Sequence, residues 1–238
     1  MPPAWVQDDT SFSDGNGATI AQAFGANVTA GGLILTWTGF GADNTPTCSD
    51  NINGAHTAYG KLHDSVNNQG YAAFYFPNAG AGATTVTVTF GGQSPAFRRI
   101  GIAEYSGIAT AGPADGNTLR VQSGTTTPSS GAITTTANGD LIFASIENLD
   151  ESDVGTGTVT QGAGYTERQQ LGTWIGSMED QVQASAGSID GTWTLDAAKR
   201  CICHIMAMKA QPPAPPGSRA FPPRIALRPR AFAPGLAR

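Results

Sequence analysis

Apolar and polar residues alternate most cleanly over Thr84–Phe90. Val86, Val88 and Phe90 share one face there, and Thr85, Thr87 and Thr89 the other. A period of two is the signature of a half-buried strand. The next apolar stretch, Arg98–Gly107, is a short strand with Glu104 on the row of Ile100 and Ile102. Leu33–Thr38 alternates again, with Leu33, Leu35 and Trp37 against Ile34, Thr36 and Thr38. Tyr71–Phe76 is an aromatic strand, and Asp140–Asn148 is apolar on both faces, as in a strand covered on both sides. Weaker runs at Thr19–Phe24, Ala55–Leu62, Leu119–Gln122, Ala132–Thr136, Tyr165–Leu171, Thr173–Ala184, Gly191–Leu195 and Arg200–Lys209 complete the set. No long window has a 3.6-residue apolar period with caps, so almost no helix is expected.

Turn signals divide these runs. Asp14-Gly15-Asn16-Gly17 closes a polar opening segment, and Asn138-Gly139 reads as a hairpin turn between Ala132–Thr136 and Asp140–Asn148. Gly39–Asn53 reads as a long loop, and Gly124–Ser130 as a linker crossing to the next strand pair. About ten to twelve strands at this spacing suit a two-sheet sandwich. The expected fold is all-β: a single two-sheet, jelly-roll-like β-sandwich over 19–209. It is preceded by an extended segment, 1–18, and followed by an extended Pro/Arg-rich arm, 210–238.

Composition supports this and adds an asymmetry. The 31 glycines and the scarcity of Lys and Glu suit strands and turns. Residues 1–210 hold all 18 acidic residues and eight of the 13 basic ones, a net charge of −10. Residues 211–238 hold five arginines and no acid. A body of that sign repels nucleic acid. No apolar run is long enough to cross a membrane as a helix, and Met1–Trp5 has neither the basic start nor the apolar core of a signal peptide.

The runs Gly82–Phe90, Arg99–Gly107 (with Ile102-Ala103-Glu104-Tyr105-Ser106-Gly107), Asn138–Leu141 and Glu179–Gln183 together resemble a loosely defined group of bacterial and phage β-sandwich modules. These occur in surface, adhesin-like and virion proteins, and the likeness covers roughly residues 19–209 in pattern. It implies a sandwich fold and transfers no catalytic residue. Residues 211–238 match nothing in that group.

Several residues invite chemistry. Glu104 and Glu147 each sit among apolar neighbours, which suggests a glycosidase pair. The favoured reading is that each answers an arginine (Arg98, Arg99 or Arg120) or free backbone amides. Cys201-x-Cys203-His204 has the look of a metal site, but alternation sends His204 to the face opposite both cysteines, and paired ligand spacing is missing. Cys201 and Cys203 are then small buried hydrophobes. Cys48, in the polar loop, reads as a free thiol or an intermolecular bridge. His56 and His63 lack partners. Asp43, Asp50 and Asn51, and separately Asp150, Glu151 and Asp153, could offer oxygens to structural calcium, but solvated turns account for them. No cofactor is expected. Trp37, Trp174 and Trp193, with Tyr59, Tyr71 and Tyr165, could stack on sugars, and Trp174, between Gly172 and Gly176, is the best exposed.

The arm starts Gln211-Pro212-Pro213-Ala214-Pro215-Pro216, a stiff polyproline II spacer by composition. Beyond it Arg219, Phe221, Arg224, Ile225, Leu227, Arg228, Arg230, Phe232, Leu236 and Arg238 mix cations with apolar anchors. Such a segment suits docking on a partner better than solvating a tail. The expectation is therefore a non-enzymatic structural protein of a phage particle, a decoration, fibre or spike module. It would be made in the host cytoplasm and carried in the virion. The arm would bind other virion proteins or copies of the same chain. The alternative is an extracellular or cell-surface carbohydrate-binding or adhesin module that meets host surface glycans through Trp174. A glycoside hydrolase using Glu104 and Glu147 ranks last.

Overall fold

Short β-branched and aromatic runs between glycine turns leave little room for helix. In the computed structural model, which describes residues 1–150, 157–171 and 176–213, the named regular elements are strands and none is a helix. The first half contains β1 (Ala4–Ser13), β2 (Thr19–Ala23), β3 (Gly32–Gly41), β4 (Thr45–Asp50), β5 (Gly54–Ala55), β6 (Thr57–Asp64), β7 (Gln69–Ala79), β8 (Thr85–Gly91) and β9 (Arg98–Ser106). The second contains β10 (Ala114–Thr125), β11 (Ile133–Thr134), β12 (Asp140–Asn148), β13 (Val159–Gln161), β14 (Thr166–Leu171), β15 (Gly176–Gln183), β16 (Ser188–Ile189), β17 (Trp193–Leu195) and β18 (Lys199–Met208). The ladders between them are antiparallel.

The two halves repeat one topology. The first builds a five-stranded sheet in the order β1-β9-β3-β7-β6, and the second one in the order β10-β18-β12-β15-β14. Strand for strand these are the same, with β10 in the place of β1, β18 of β9, β12 of β3, β15 of β7 and β14 of β6. The outer layers correspond as well. β8 pairs with both β2 and β4. Its counterpart is split in two: β16 pairs with β11, and β17 with β13.

Three cores follow from strand alternation. Leu33, Leu35, Trp37, Tyr71, Ala103 and Tyr105 of the first five-stranded sheet pack on Leu141, Phe143, Met178, Ile202, Met206 and Met208 of the second. The opposite face of the first sheet, with Ile34, Phe74, Ile100 and Ile102, is covered by Ile20, Val86, Val88 and Phe90. The opposite face of the second, with Ile142, Ala144, Ile146, Cys203 and Ile205, is covered by Val159, Tyr165, Trp193 and Leu195. Both central sheets are thus buried on both faces, and β3 and β12 have no exposed residue. At the rims β1 lies against β14 and β6 against β10. Exchanging the halves turns one contact into the other, as in an isologous interface.

Four expectations need correcting. The polar segment 1–18 contains a full strand, β1, which pairs with β9 from Ala4↔Ser106 to Ser13↔Arg98. The short run expected over Leu119–Gln122 is the middle of one long strand, β10, which begins at Ala114 and ends at Thr125. The loop expected over Gly39–Asn53 carries β4, with Pro46, Cys48 and Asp50 inward. Asn138-Gly139 does turn the chain, with Gly139 at φ 81°. The strands on either side of it do not form a hairpin, because β11 pairs with β16 in the outer layer. The linker Gly124–Ser130 is stitched to β17 through Leu195 N to Thr126 O (2.8 Å) and Trp193 N to Pro128 O (3.1 Å). All-β architecture holds throughout, with more layers than two. From residue 214 the arm lies outside the described residues.

Candidate functional site

Several of the buried ionisable residues gather where the halves meet. β3, β7 and β9 present Trp37, Tyr71, Arg99 and Tyr105 to the central core, and β12, β14, β15 and β18 answer with polar groups. Arg99 Nε lies 3.4 Å from Glu147 Oε1, both side chains 1 % exposed. Tyr71 Oη bonds Ser145 Oγ (2.6 Å) and His204 Nδ1 (3.1 Å). Tyr105 Oη donates to Asp180 Oδ2 (2.7 Å), whose carboxylate also takes Arg168 Nε (2.8 Å). Trp37 Nε1 donates to Gln169 Oε1 (3.3 Å). At the far rim Arg200 clamps Asp64 through Nε (2.9 Å) and Nη2. The contacts of Arg99, Tyr71, Tyr105, Trp37 and Arg200 each join one half to the other.

Burial sets the protonation of this seam. It pushes the Glu147 carboxyl up to about 7, with Arg99 pulling the other way, and takes the His204 imidazole down to about 3. It also raises the Tyr71 and Tyr105 phenols. Glu147 needs space that only glycine leaves. A Cβ at Gly39 would land on its carboxylate, and one at Gly176 would sit 2.7 Å from Trp37 and 3.0 Å from Glu147 Oε2.

Glu104 belongs to a different core. It faces the outer layer of the first half, where Thr29 N (2.7 Å) and Gln7 Nε2 (2.6 Å) donate to its carboxylate. Glu104 and Glu147 therefore lie on opposite sides of the first central sheet, and no glycosidic bond fits between them. Each has one of the partners the sequence allowed: backbone amide for Glu104, Arg99 for Glu147. Arg98 binds Gly15 O (3.0 Å) and Ser13 Oγ (3.0 Å), and Arg120 binds Ser129 O (2.8 Å).

Cys48 and His56 correct the sequence reading. Cys48 is a free thiol, one of the two states expected, but it lies on β4 and is 3 % exposed, so it is not placed to bridge another chain. Its Sγ lies 3.5 Å from His56 Nδ1, and His56 Nε2 lies 2.8 Å from Asp50 Oδ2. A thiol, an imidazole and a carboxylate in line resemble a nucleophile and its base. The electrostatics oppose that use: burial raises the Cys48 thiol to about 12 and lowers the His56 imidazole. The thiolate is the nucleophilic form. Asp50 also accepts Ile52 N (2.8 Å) and Asn53 N (2.6 Å), so the chain of groups ties the β4–β5 turn. His63 contacts Asn68 Oδ1 at 3.2 Å.

The remaining candidates resolve into packing or turns. Cys201 and Cys203 are free and buried, with sulfurs 3.8 Å apart, and His204 is on the other face. Asp43 is met by Lys61 (3.2 Å), Asn51 by Thr85 N (2.6 Å), and Asp150 by Arg200 N (2.9 Å). Glu151 and Asp153 lie outside the described residues. Trp37, Trp193, Tyr71 and Tyr165 are buried, and Tyr59 Oη accepts Gly116 N. Trp174, like the arm positions from Arg219 to Arg238, lies outside the described residues.

Three of the exposed large apolar residues share β1, while Ile52, Val66 and Val182 are exposed singly elsewhere. Trp5 is 42 % exposed, Val6 36 % and Phe12 49 %. β1 is the edge of its sheet, with β9 its one sheet neighbour. Trp5 Nε1 bonds Asp8 Oδ2 (2.8 Å), and the Arg168 guanidinium lies 5.1 Å from the Trp5 ring. Beside the start of β1 is the root of the arm. Ile108 bridges Ala210. Ala109 N bonds Lys209 O (2.9 Å), and Gln211 N bonds Gly107 O (2.7 Å). Gly107 in turn packs on the Pro2 carbonyl, which a Cβ there would strike. The passage from one half to the other, the N-terminal segment and the exit of the arm thus share one corner. Compared with protein-family models and with curated proteins, the chain matches none.

Proposed function

We propose that this chain is a non-enzymatic structural protein of a phage particle: an all-β decoration, fibre or spike module, displayed on the particle and held there by an extended C-terminal arm. What supports this reading most is the corner at Gly107–Gln211. The arm starts from a backbone ladder, at the junction of two mutually buried halves, so pull on the arm is borne by both. The charge division points the same way. A body of net −10 carries an arm with five arginines, and the arm seeks an acidic surface. Ordering an arm at assembly costs conformational entropy, which its apolar anchors offset on binding.

Deletion of residues 214–238 tests this. The cut keeps the Gln211 bond and hence the body. The truncated chain should fold with an unchanged unfolding midpoint and be lost from purified particles. Incorporation at the level of the full chain would overturn the reading.

A further inference from the structure

We propose that Asp115 and Asp140 form a proton-sharing carboxyl pair beneath the root of the C-terminal arm, and that this pair locks the root closed in acid and loosens it as pH rises to neutral. The lock is a property of the isolated chain and does not depend on what the arm binds.

A break in strand register brings the two groups together. Along the β10–β18 ladder Ala114 pairs with Met208 and Gly116 with Ala207, which leaves Asp115 as the extra residue of a bulge. A bulge re-aims a side chain that regular alternation would send elsewhere. Asp115 turns to the segment after β11, where it accepts Thr136 N (2.5 Å), Thr136 Oγ1 (2.5 Å) and Ala137 N (3.3 Å). Lys209 Nζ lies 3.1 Å from its Oδ1. Burial alone would raise the Asp115 carboxyl, but these donors together hold it well below the usual carboxylate range.

Asp140 is the opposite case. It is the first residue of β12 and is fully buried. Among the described residues, no donor forms a hydrogen bond to either of its oxygens. The side chain it meets is the Asp115 carboxyl. Two carboxyl groups sit together in a buried place only with a proton between them. Asp115 has donors enough of its own, so the proton sits on Asp140 and is donated to Asp115. Burial, and then the Asp115 carboxylate, push the Asp140 carboxyl up to about 7, while the Ala210 amide and the Lys209 ammonium pull the other way. Its ladder partner on β15, Gln183, is uncharged.

The pair lies under the root of the arm. Lys209 N bonds Pro113 O (2.7 Å), Ala109 N bonds Lys209 O (2.9 Å) and Gln211 N bonds Gly107 O (2.7 Å). A Cβ at Gly139, next to Asp140, would sit 3.8 Å from the Ala210 Cβ. β12 is paired on both sides, by β15 and β18, so Asp140 itself is held in place. The root is held by few backbone bonds, and local opening there is the easiest way to bring water to the pair. In the open root the Asp140 carboxyl returns to about 3.8, against about 7 in the closed one. Opening therefore releases a proton. It becomes easier as pH rises from about 4 to about 7, and gains nothing further above that.

Hydrogen exchange of the full chain from pH 5 to 8, corrected for the intrinsic pH dependence of exchange, reads the lock. The Lys209 and Gln211 amides should lose protection about tenfold or more between pH 5 and 7 and level off above it. In Asp140→Asn the amide donates to Asp115 at every pH, so the root should stay protected to pH 8. A carboxyl-carbon titration of Asp140 by NMR should have its midpoint near 7. A midpoint near the ordinary aspartate value would overturn the pair. Root protection that is flat with pH in the parent, or that falls equally in the variant, would overturn the lock. If the variant does not fold, the titration and exchange of the parent decide the matter by themselves.

Discussion

The first half covers its central sheet with a continuous β8 that serves two neighbours; the second covers its own with two short ladders and large side chains. In place of the middle of β8 stands a knot around Asp190. Ser129 Oγ and Ser130 Oγ donate to its carboxylate (2.6 and 2.9 Å), and Gly191 N donates to Ser130 Oγ (3.0 Å). Trp193 and Tyr165 fill the space beneath. The halves also diverge where they touch. Counting along the paired strands from Leu33 and Leu141, Gly39 corresponds to Glu147, Arg99 to Ile202 and Tyr71 to Gly176. At two of these positions a large or charged residue in one half meets a glycine in the other. Two like faces with Glu147 on both would bring two carboxylates together without water, a costly arrangement. A repeated fold can thus keep its strand order while its shared face becomes a lock of unlike parts.

The largest test of this lock is Trp37→Ala. Trp37 is fully buried at the seam, and its loss should cost about 4 kcal/mol. Both halves should lose stability together in denaturant unfolding followed by hydrogen exchange. Loss confined to one half would break the comparison.

Next comes Glu147→Gln. A carboxyl raised from 4.5 to about 7 binds its proton more tightly in the folded chain. Stability from this group is therefore present below pH 4.5 and lost as pH rises to about 7, by about 3 kcal/mol. The glutamine amide does not titrate, so stability of the variant minus that of the parent should rise by that amount between about pH 4.5 and 8. A difference that is flat with pH would contradict the buried carboxyl. The smallest effect is expected for Asp190→Ala. It removes the two serine hydrogen bonds and should cost about 2 kcal/mol. Exchange should quicken in β16 and β17 and stay unchanged in β8.

Strands buried on both faces or strictly alternating were legible in sequence: β3, β8, β9 and β12 lie where the pattern puts them. The two least legible, β1 and β10, are counterparts, and for one reason. Each is a sheet edge whose side chains are mostly half-exposed, so neither shows a two-residue period of burial. β4 was hidden by Thr, Pro and Ser, although its outward Thr45 and Thr47 against inward Pro46 and Cys48 were a signal. Glu104 and Glu147 stood out correctly as inward carboxylates. That they face different cores depends on which sheet covers which face, and alternation within one strand does not carry that. The repeat was invisible because the halves share strand order and few residues. The aromatic edge at Trp5 and Phe12 was overlooked because its neighbours are Asp, Thr and Ser.

The contacts of Arg99, Tyr71, Tyr105, Trp37 and Arg200 across the seam tie the two halves into one cooperative unit. Equilibrium unfolding in denaturant, read by hydrogen exchange in β3 and β9 and in β12 and β18, tests it most directly. A single transition with one midpoint for all four strands is predicted. Two separated midpoints, one for each half, would contradict it.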